Sequence, residues 1–249
     1  MTVEAPKGDA LLAPQSEGVE GLKGAAAADI TGGQAKASGQ ASTTASGDTD
    51  VRSAKALFEA IESNSSEGLE AILSAHEDDD FVATQVDERG NTALIRAVQL
   101  GYCDLVDKLL NSQQASTTLA NQAGDTALHW ACYRGDFSSV VALLSHGAPI
   151  EVPGDAGNRP LHLAASSGNA KVVFALIMSG AAVISLNDYG NKPRHLCKDA
   201  QCSKMLKRIE LGGEPARQEL KKEQEEIDKK RQVSRSRASP QVPDSQPVY

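Results

Sequence analysis

Aromatic residues are scarce in this chain of 249 residues: they make up 4% of it, with a single tryptophan. With 40% hydrophobic residues, that argues against a large closed core and for packing through small side chains. Cysteine is sparse as well. Cys103, Cys132, Cys197 and Cys202 are scattered and make no C-x-x-C, so free thiols in a reducing compartment, cytoplasmic or nuclear, are expected. Long apolar runs are missing: none reaches the roughly 18 residues of a membrane span, and no membrane insertion is expected. The start, "MTVEAPKGDALLAPQ", has no basic stretch followed by an apolar one, so it does not read as a secretory signal. Basic charge is short too. The net charge is −8: residues 1–50 hold three basic and seven acidic residues (−4), residues 214–249 eight and seven (+1), and the body between carries −5. An acidic body argues against direct nucleic-acid binding, which needs a basic face.

What is present is repetition. "GNTALIRA" (90–97), "GDTALHWA" (124–131), "GNRPLHLA" (157–164) and "GNKPRHLC" (190–197) open with Gly90, Gly124, Gly157 and Gly190, at offsets of 34, 33 and 33. The second of these runs on to "CYRG" and looks like an active site, with histidine, tryptophan, cysteine, tyrosine and arginine close together. A catalytic site is made once, whereas a unit that must stack on its neighbours is made repeatedly. Recurrence therefore favours scaffold over chemistry.

The spacing predicts paired helices. Thr92 and Thr126 stand where a helix N-cap is wanted; Arg159 takes that place in the next unit, at some cost. Pro160 and Pro193 fall at first helical positions, where a missing N–H does no harm. Gly101, Gly135 and Gly168 stand where a first helix must stop in the left-handed conformation. Second helices carry apolar faces such as Val140, Val141, Leu143 and Leu144, and end at Gly147 or Gly180. A degenerate first unit is expected from Val51, with the acidic run His76–Asp80 in its loop, and a capping unit after Tyr189, where Arg194 replaces the core leucine. The expected layout is a disordered low-complexity segment at 1–50, repeats at 51–86, 87–120, 121–153, 154–186 and 187–213, a charged helix at 214–233 and a disordered tail at 234–249.

These residues together resemble the ankyrin-repeat family: the period of 33, the Thr-Pro-Leu-His-type start, the glycine ending each first helix, and the Gly-Ala of "HGAPI" and "SGAAV". The likeness covers roughly 51–213, with Ile95 where histidine is usual and no Gly-Ala after "LLNSQQ". The resemblance implies an all-α solenoid of stacked helix-turn-helix units with finger-like loops at one edge. It implies a non-catalytic module, an adaptor or scaffold needing no cofactor and no metal, that binds another protein through the fingers and inner helices, as a monomer. Projected here, the fingers offer Glu88, Arg89 and Asn91, then Gln122 and Asp125, then Asp155 and Asn158, then Asp188 and Tyr189. The first helices offer Gln99 and Leu100, Tyr133 and Arg134, and Ser166 and Ser167. Tyr133 and Arg134 stand out, because Tyr and Arg are enriched in binding hot spots.

The same residues also admit chemical readings. His129, His162 and His195 share one register, and one structural role, bonding neighbouring backbone, accounts for all three. A His129–Cys132 nucleophilic pair lacks an orienting third group. His195, Cys197 and Cys202 match no standard zinc spacing. Trp130 reads mostly as packing. Ser234, with Arg231 three residues before, and Ser239, followed by Pro240, are candidate phosphorylation sites. They leave open a second function, a stoichiometric inhibitor or regulator of an enzyme or transcription factor, and remotely a zinc- or thiol-dependent enzyme.

Overall fold

Most helices begin and end where a local residue satisfies the backbone; the helix that starts after Tyr102 has no side-chain cap. The computed structural model describes residues 53–76 and 81–238, with side chains to 232. The N-terminal segment, the run Glu77–Asp80, Ser239 and the rest of the tail lie outside the described residues. The helices are α1 (Ala54–Glu62), α2 (Ser66–Ala75), α3 (Phe81–Thr84), α4 (Ala93–Leu100), α5 (Cys103–Asn111), α6 (Ala127–Arg134), α7 (Phe137–Ser145), α8 (Pro160–Ser167), α9 (Ala170–Met178) and α10 (Ala200–Ala238). Two 3-10 turns, Asp155–Gly157 and Pro193–Leu196, interrupt the series. Thr92 Oγ1 accepts the Ile95 N–H at 3.3 Å and starts α4. Asp136 and Asn169 cap α7 and α9 with their side chains. Gly101, Gly135 and Gly168 close α4, α6 and α8 at φ of 81°, 69° and 79°, backbone that L-residues rarely adopt.

The pairs stack in two layers. α1, α4, α6, α8 and the Pro193–Leu196 turn pack in succession as one layer, and α2, α5, α7, α9 and α10 as the other. Ala97, Ala131 and Ala164, at one register position of α4, α6 and α8, are wholly buried in the first layer. Leu57, Leu69, Leu109, Leu128, Leu143 and Leu176 fill the space between layers with no exposure at all. Each such side chain contributes about 1.5–3 kcal/mol of transfer free energy. One apolar core runs continuously from Leu57 to Ala216. Among the described residues there is no strand, only the bridges Val86–Thr92 and Ala120–Thr126 at the bases of two fingers. The architecture is an all-α solenoid.

Both ends depart from the repeat. At the C-terminal end the first helix of the unit shrinks to the Pro193–Leu196 turn. α10 then breaks at Gly213, whose φ of 57° and ψ of −139° are not helical. The segment after the break turns back. Arg208 reaches Glu219 at 3.0 Å and Glu223 at 2.9 Å, Arg217 donates to the Ala181 carbonyl at 3.2 Å, and Ala216 is buried. Composition suggested a helix charged on every side; Ala216, Leu220 and the Arg217 stem nonetheless form a seat on the last repeat. No helix among the described residues is long and apolar enough to cross a membrane.

Candidate partner-binding surface

Four fingers, residues 86–92, 120–126, 153–159 and 186–192, share one closure. The backbone N–H of Asp87, Asn121, Gly154 and Asn187 donates to the carbonyl of Asn91, Asp125, Asn158 and Asn191, at 3.0, 2.9, 2.9 and 3.1 Å. In three fingers the residue at the base adds its side chain. Asn121 Oδ1, for example, accepts the N–H of Ala123 at 3.0 Å and of Asp125 at 2.9 Å. The fingers are also tied to one another. Gln122 N–H donates to Arg89 O at 3.2 Å and Asp188 N–H to Ala156 O at 3.1 Å. Asp125 Oδ1 accepts the Asp155 N–H at 3.1 Å. That last bond is possible because residue 154 is glycine: a Cβ there would stand 2.2 Å from Asp125 Oδ1. Burial raises the Asp125 pKa, and the backbone bond from Asp155 and the nearby His129 oppose the rise.

The recurring histidines join units rather than perform chemistry. His129 Nδ1 accepts the Thr126 N–H at 3.1 Å and lies 2.9 Å from the Thr126 hydroxyl, while Nε2 lies 3.1 Å from Asn158 O in the next unit. An Nδ1 that accepts an amide proton leaves Nε2 as the donor, so the ring is neutral and bridges two units. His162 repeats this with Arg159 N–H at 3.2 Å and Asn191 O at 3.1 Å. His195 has only the local bond, from Lys192 N–H at 3.3 Å. Burial lowers the pKa of both His129 and His162. Cys132 is wholly buried and its thiol is pushed far up by desolvation, the opposite of nucleophile activation. Both nitrogens of its neighbour His129 are already engaged. Near the end, Cys197 Sγ donates to Pro193 O at 3.7 Å and Cys202 Sγ to Gly168 O at 3.5 Å, so His195, Cys197 and Cys202 each have a separate structural contact.

The structure sorts the candidate surface residues. Glu88, Arg89, Gln122, Asp155, Asp188 and Tyr189 are exposed on the fingers, and Tyr133 and Arg134 on α6. Gln99, Leu100, Asp125, Ser166 and Ser167 are half-buried. Ser167 Oγ is spent on the Ala164 carbonyl at 2.8 Å. Two residues expected on the surface are not there. Asn91 is 1% exposed and Asn158 4%. Asn91 donates to Asp87 Oδ2 at 2.9 Å and accepts from Gln99 at 3.1 Å and Asn121 at 3.0 Å. Asn158 donates to Asp155 O at 3.0 Å and accepts from Asn187 Nδ2 at 2.9 Å. Both turn inward because the base of a finger has polar groups that water cannot reach. Their recurrence in register with Asp125 and Asn191 was the available signal, since a repeated position serves the scaffold.

Arg134 has a divided role. Its Nη1 donates to the Gln99 carbonyl at 2.9 Å, and its guanidinium lies so close over Gly101 that a Cβ there would meet Nη2 at 2.2 Å. It is a cation placed at the C-terminal end of the preceding unit's helix, where the dipole favours it. Tyr133 is freer. It is 38% exposed and meets Trp130 edge-on, with ring centroids 6.0 Å apart at 81°. Trp130 itself is half-buried against the core. Sequence reasoning missed three features of this surface. Arg96 pairs with Glu62 at 2.9 Å, and Ile184 and Leu186 stand 61% and 57% exposed at the last finger. The alternation of inward Val183 and Asn187 with outward Ile184 and Leu186 was the readable sign.

A family model described as ankyrin repeats in three copies matches residues 104–188. "Ankyrin repeat-containing protein ITN1" of Arabidopsis thaliana is 37% identical over 90 residues, which is 33% of this chain and 15% of that protein. "BCL-6 corepressor-like protein 1" of Mus musculus and of Homo sapiens is 43% identical over 61 residues, 24% of this chain and 3% of each relative. The chain thus spans a small part of the length of the relatives it matches.

Proposed function

The chain carries an ankyrin-repeat domain, and from that premise we propose that residues 51–213 form an adaptor that binds a protein partner through the exposed fingers and the inner helices. Ankyrin repeats are in general protein-binding modules, and the family is typically not catalytic. The observation that carries the reading is the contrast between a rigid frame and its free faces. The finger bases are locked by buried amides and histidines, while Glu88, Gln122, Asp155, Asp188, Tyr133 and Tyr189 remain exposed on that frame. A pre-ordered surface loses little conformational entropy on binding. An acidic surface favours a partner of basic or mixed charge. The helix at 214–233 is an appendage to this domain, and the cytoplasm or nucleus is the compartment that goes with the reading.

The test is affinity capture from native extract, comparing the wild type with a Tyr133→Ala, Asp155→Arg variant shown by circular dichroism to be folded. Arg134 is left intact because it also caps the preceding unit. A partner held by the wild type and lost by the variant is the expected outcome; identical captured sets would place recognition elsewhere. A second reading, a stoichiometric regulator, draws on the word corepressor in the names of two relatives. It requires the captured partner to lose activity at one-to-one stoichiometry, whereas an adaptor leaves that activity intact. Phosphorylation at Ser234 or Ser239 belongs to this second reading.

A further inference from the structure

We propose that the last finger is the anchor of the binding surface, and that it takes an extended partner segment in which Lys or Arg residues flank one large apolar side chain. The inference rests on the protein-binding reading and names the chemistry of the partner. Three large apolar side chains are exposed within six residues: Ile184 at 61%, Leu186 at 57% and Tyr189 at 64%. One repeat earlier the same positions hold Glu151, Pro153 and Ala156. Large apolar side chains at all three positions are thus peculiar to the last repeat, although Val86, in register with Leu186, is also exposed on the first finger, and the local core is already supplied by Ala181 and Val183.

The finger that carries Leu186 and Tyr189, with Ile184 two residues before it, is held firmly. Asn187 Oδ1 accepts the N–H of Tyr189 at 3.1 Å and of Asn191 at 2.9 Å, and its Nδ2 donates to Asn158 Oδ1 at 2.9 Å. Asp188 N–H donates to Ala156 O at 3.1 Å. Asp155 and Asp188 flank the apolar group, both exposed, and neither makes an ion pair among the described residues. The Asp188 carboxylate is held over Gly157, where a Cβ would come within 2.3 Å of Oδ1. An apolar patch with an acidic border attracts a cationic segment and repels an anionic lipid surface. A second copy of this chain, at a net charge of −8, is a poor complement to it.

The test uses the full chain, immobilised, to select from a phage-displayed library of random dodecapeptides. The sequences recovered should combine several Lys or Arg with one Leu, Ile, Phe or Trp. A recovered peptide, synthesised with a fluorescein label, is then titrated by anisotropy. Leu186→Ser with Tyr189→Ser, and separately Asp155→Lys with Asp188→Lys, should each weaken it by roughly tenfold or more, the equivalent of about 1.4 kcal/mol. Tyr133→Ala should change it by less than about twofold. Circular dichroism checks that each variant is folded; all four substituted side chains, three on the last finger and Asp155 on the one before it, are exposed. No enrichment, acidic winners, or binding that survives both finger variants overturns the proposal. In that last case, loss on Tyr133→Ala would leave the broader concave-surface reading standing, and loss on no variant would sink both.

Discussion

The middle of the solenoid and its C-terminal end are held by different forces. From α4 to α9 the units are joined mainly by neutral bonds, with Arg134 on Gln99 O and Asp125 on the Asp155 N–H as charged exceptions: His129 and His162 bridge to the next unit's backbone, and Asn91 and Asn158 link finger to finger. At the end, ion pairs take over. Glu210 is shared by Lys192 at 2.5 Å and Arg194 at 3.0 Å, and Arg208 clasps Glu219 and Glu223 across the Gly213 break. A repeat with a neighbour can bury its polar groups against matching polar groups. A repeat without one faces water, where only charge keeps the surface soluble. Ionic strength should therefore act more on the end than on the middle, where single exposed pairs such as Arg159–Glu151 are the part that salt can reach.

The largest effect should come from the core between the layers. Leu128→Ala removes a side chain with no exposure and should cost about 3 kcal/mol, read as a lower urea midpoint. If the loss is no greater than at an exposed position, the continuous core described here is not what unites the units. The histidines sharpen the contrast between regions. His162→Ala removes a buried ring, leaves the Arg159 amide without its partner and the Asn191 carbonyl with only the Asn187 N–H, and should cost about 1–3 kcal/mol. His195→Ala, at the exposed end, should cost almost nothing by the same measurement. Equal losses at the two sites would break the comparison.

Acidity tests the same ring. Burial lowers the pKa of His162 in the folded chain, whereas the unfolded chain takes up its proton near 6.5. The unfolded state then binds more protons between those two values, so stability is complete above about pH 6.5 and falls as pH drops through it. His129 acts in the same direction. Denaturation midpoints taken from pH 7.5 to pH 5.5 should show the decline, and His162→Gln should flatten part of it. A variant with an unchanged slope would remove His162 as the cause.

A backbone change comes next in size. Gly135→Ala forces an L-residue to φ of 69° and should cost about 1–2 kcal/mol in the same denaturation experiment. Gly101→Ala should exceed it, because the new methyl also displaces the Arg134 guanidinium. The smallest effect is expected at the end. Glu223→Gln loosens an exposed pair and should leave global unfolding unchanged, yet raise hydrogen exchange along 214–232. Exchange that stays as slow as in the wild type would mean that Ala216 and Leu220, not the charges, hold the returning segment.

Local and periodic features were legible in the residues. The glycine stops, the proline starts, the capping Thr92 and the stitching histidines depend on neighbours a few positions away or on a repeated offset. The exposed Tyr133, Asp155 and Tyr189 were legible for the same reason. Asn91 and Asn158 were misplaced because the partners that draw them inward sit in adjacent fingers, about thirty residues off. The second duty of Arg134 and the exposed run at Ile184 and Leu186 have the same origin.

The sequence by itself determined the repeat: a period of 33 fixes which positions are core, which are caps and which are loops, because helix termini are decided within a turn or two. Only the tertiary structure decided which polar side chains face water and where α10 turns back. Those outcomes depend on what lies across from a residue once the units are stacked, and no window along one chain contains that surface.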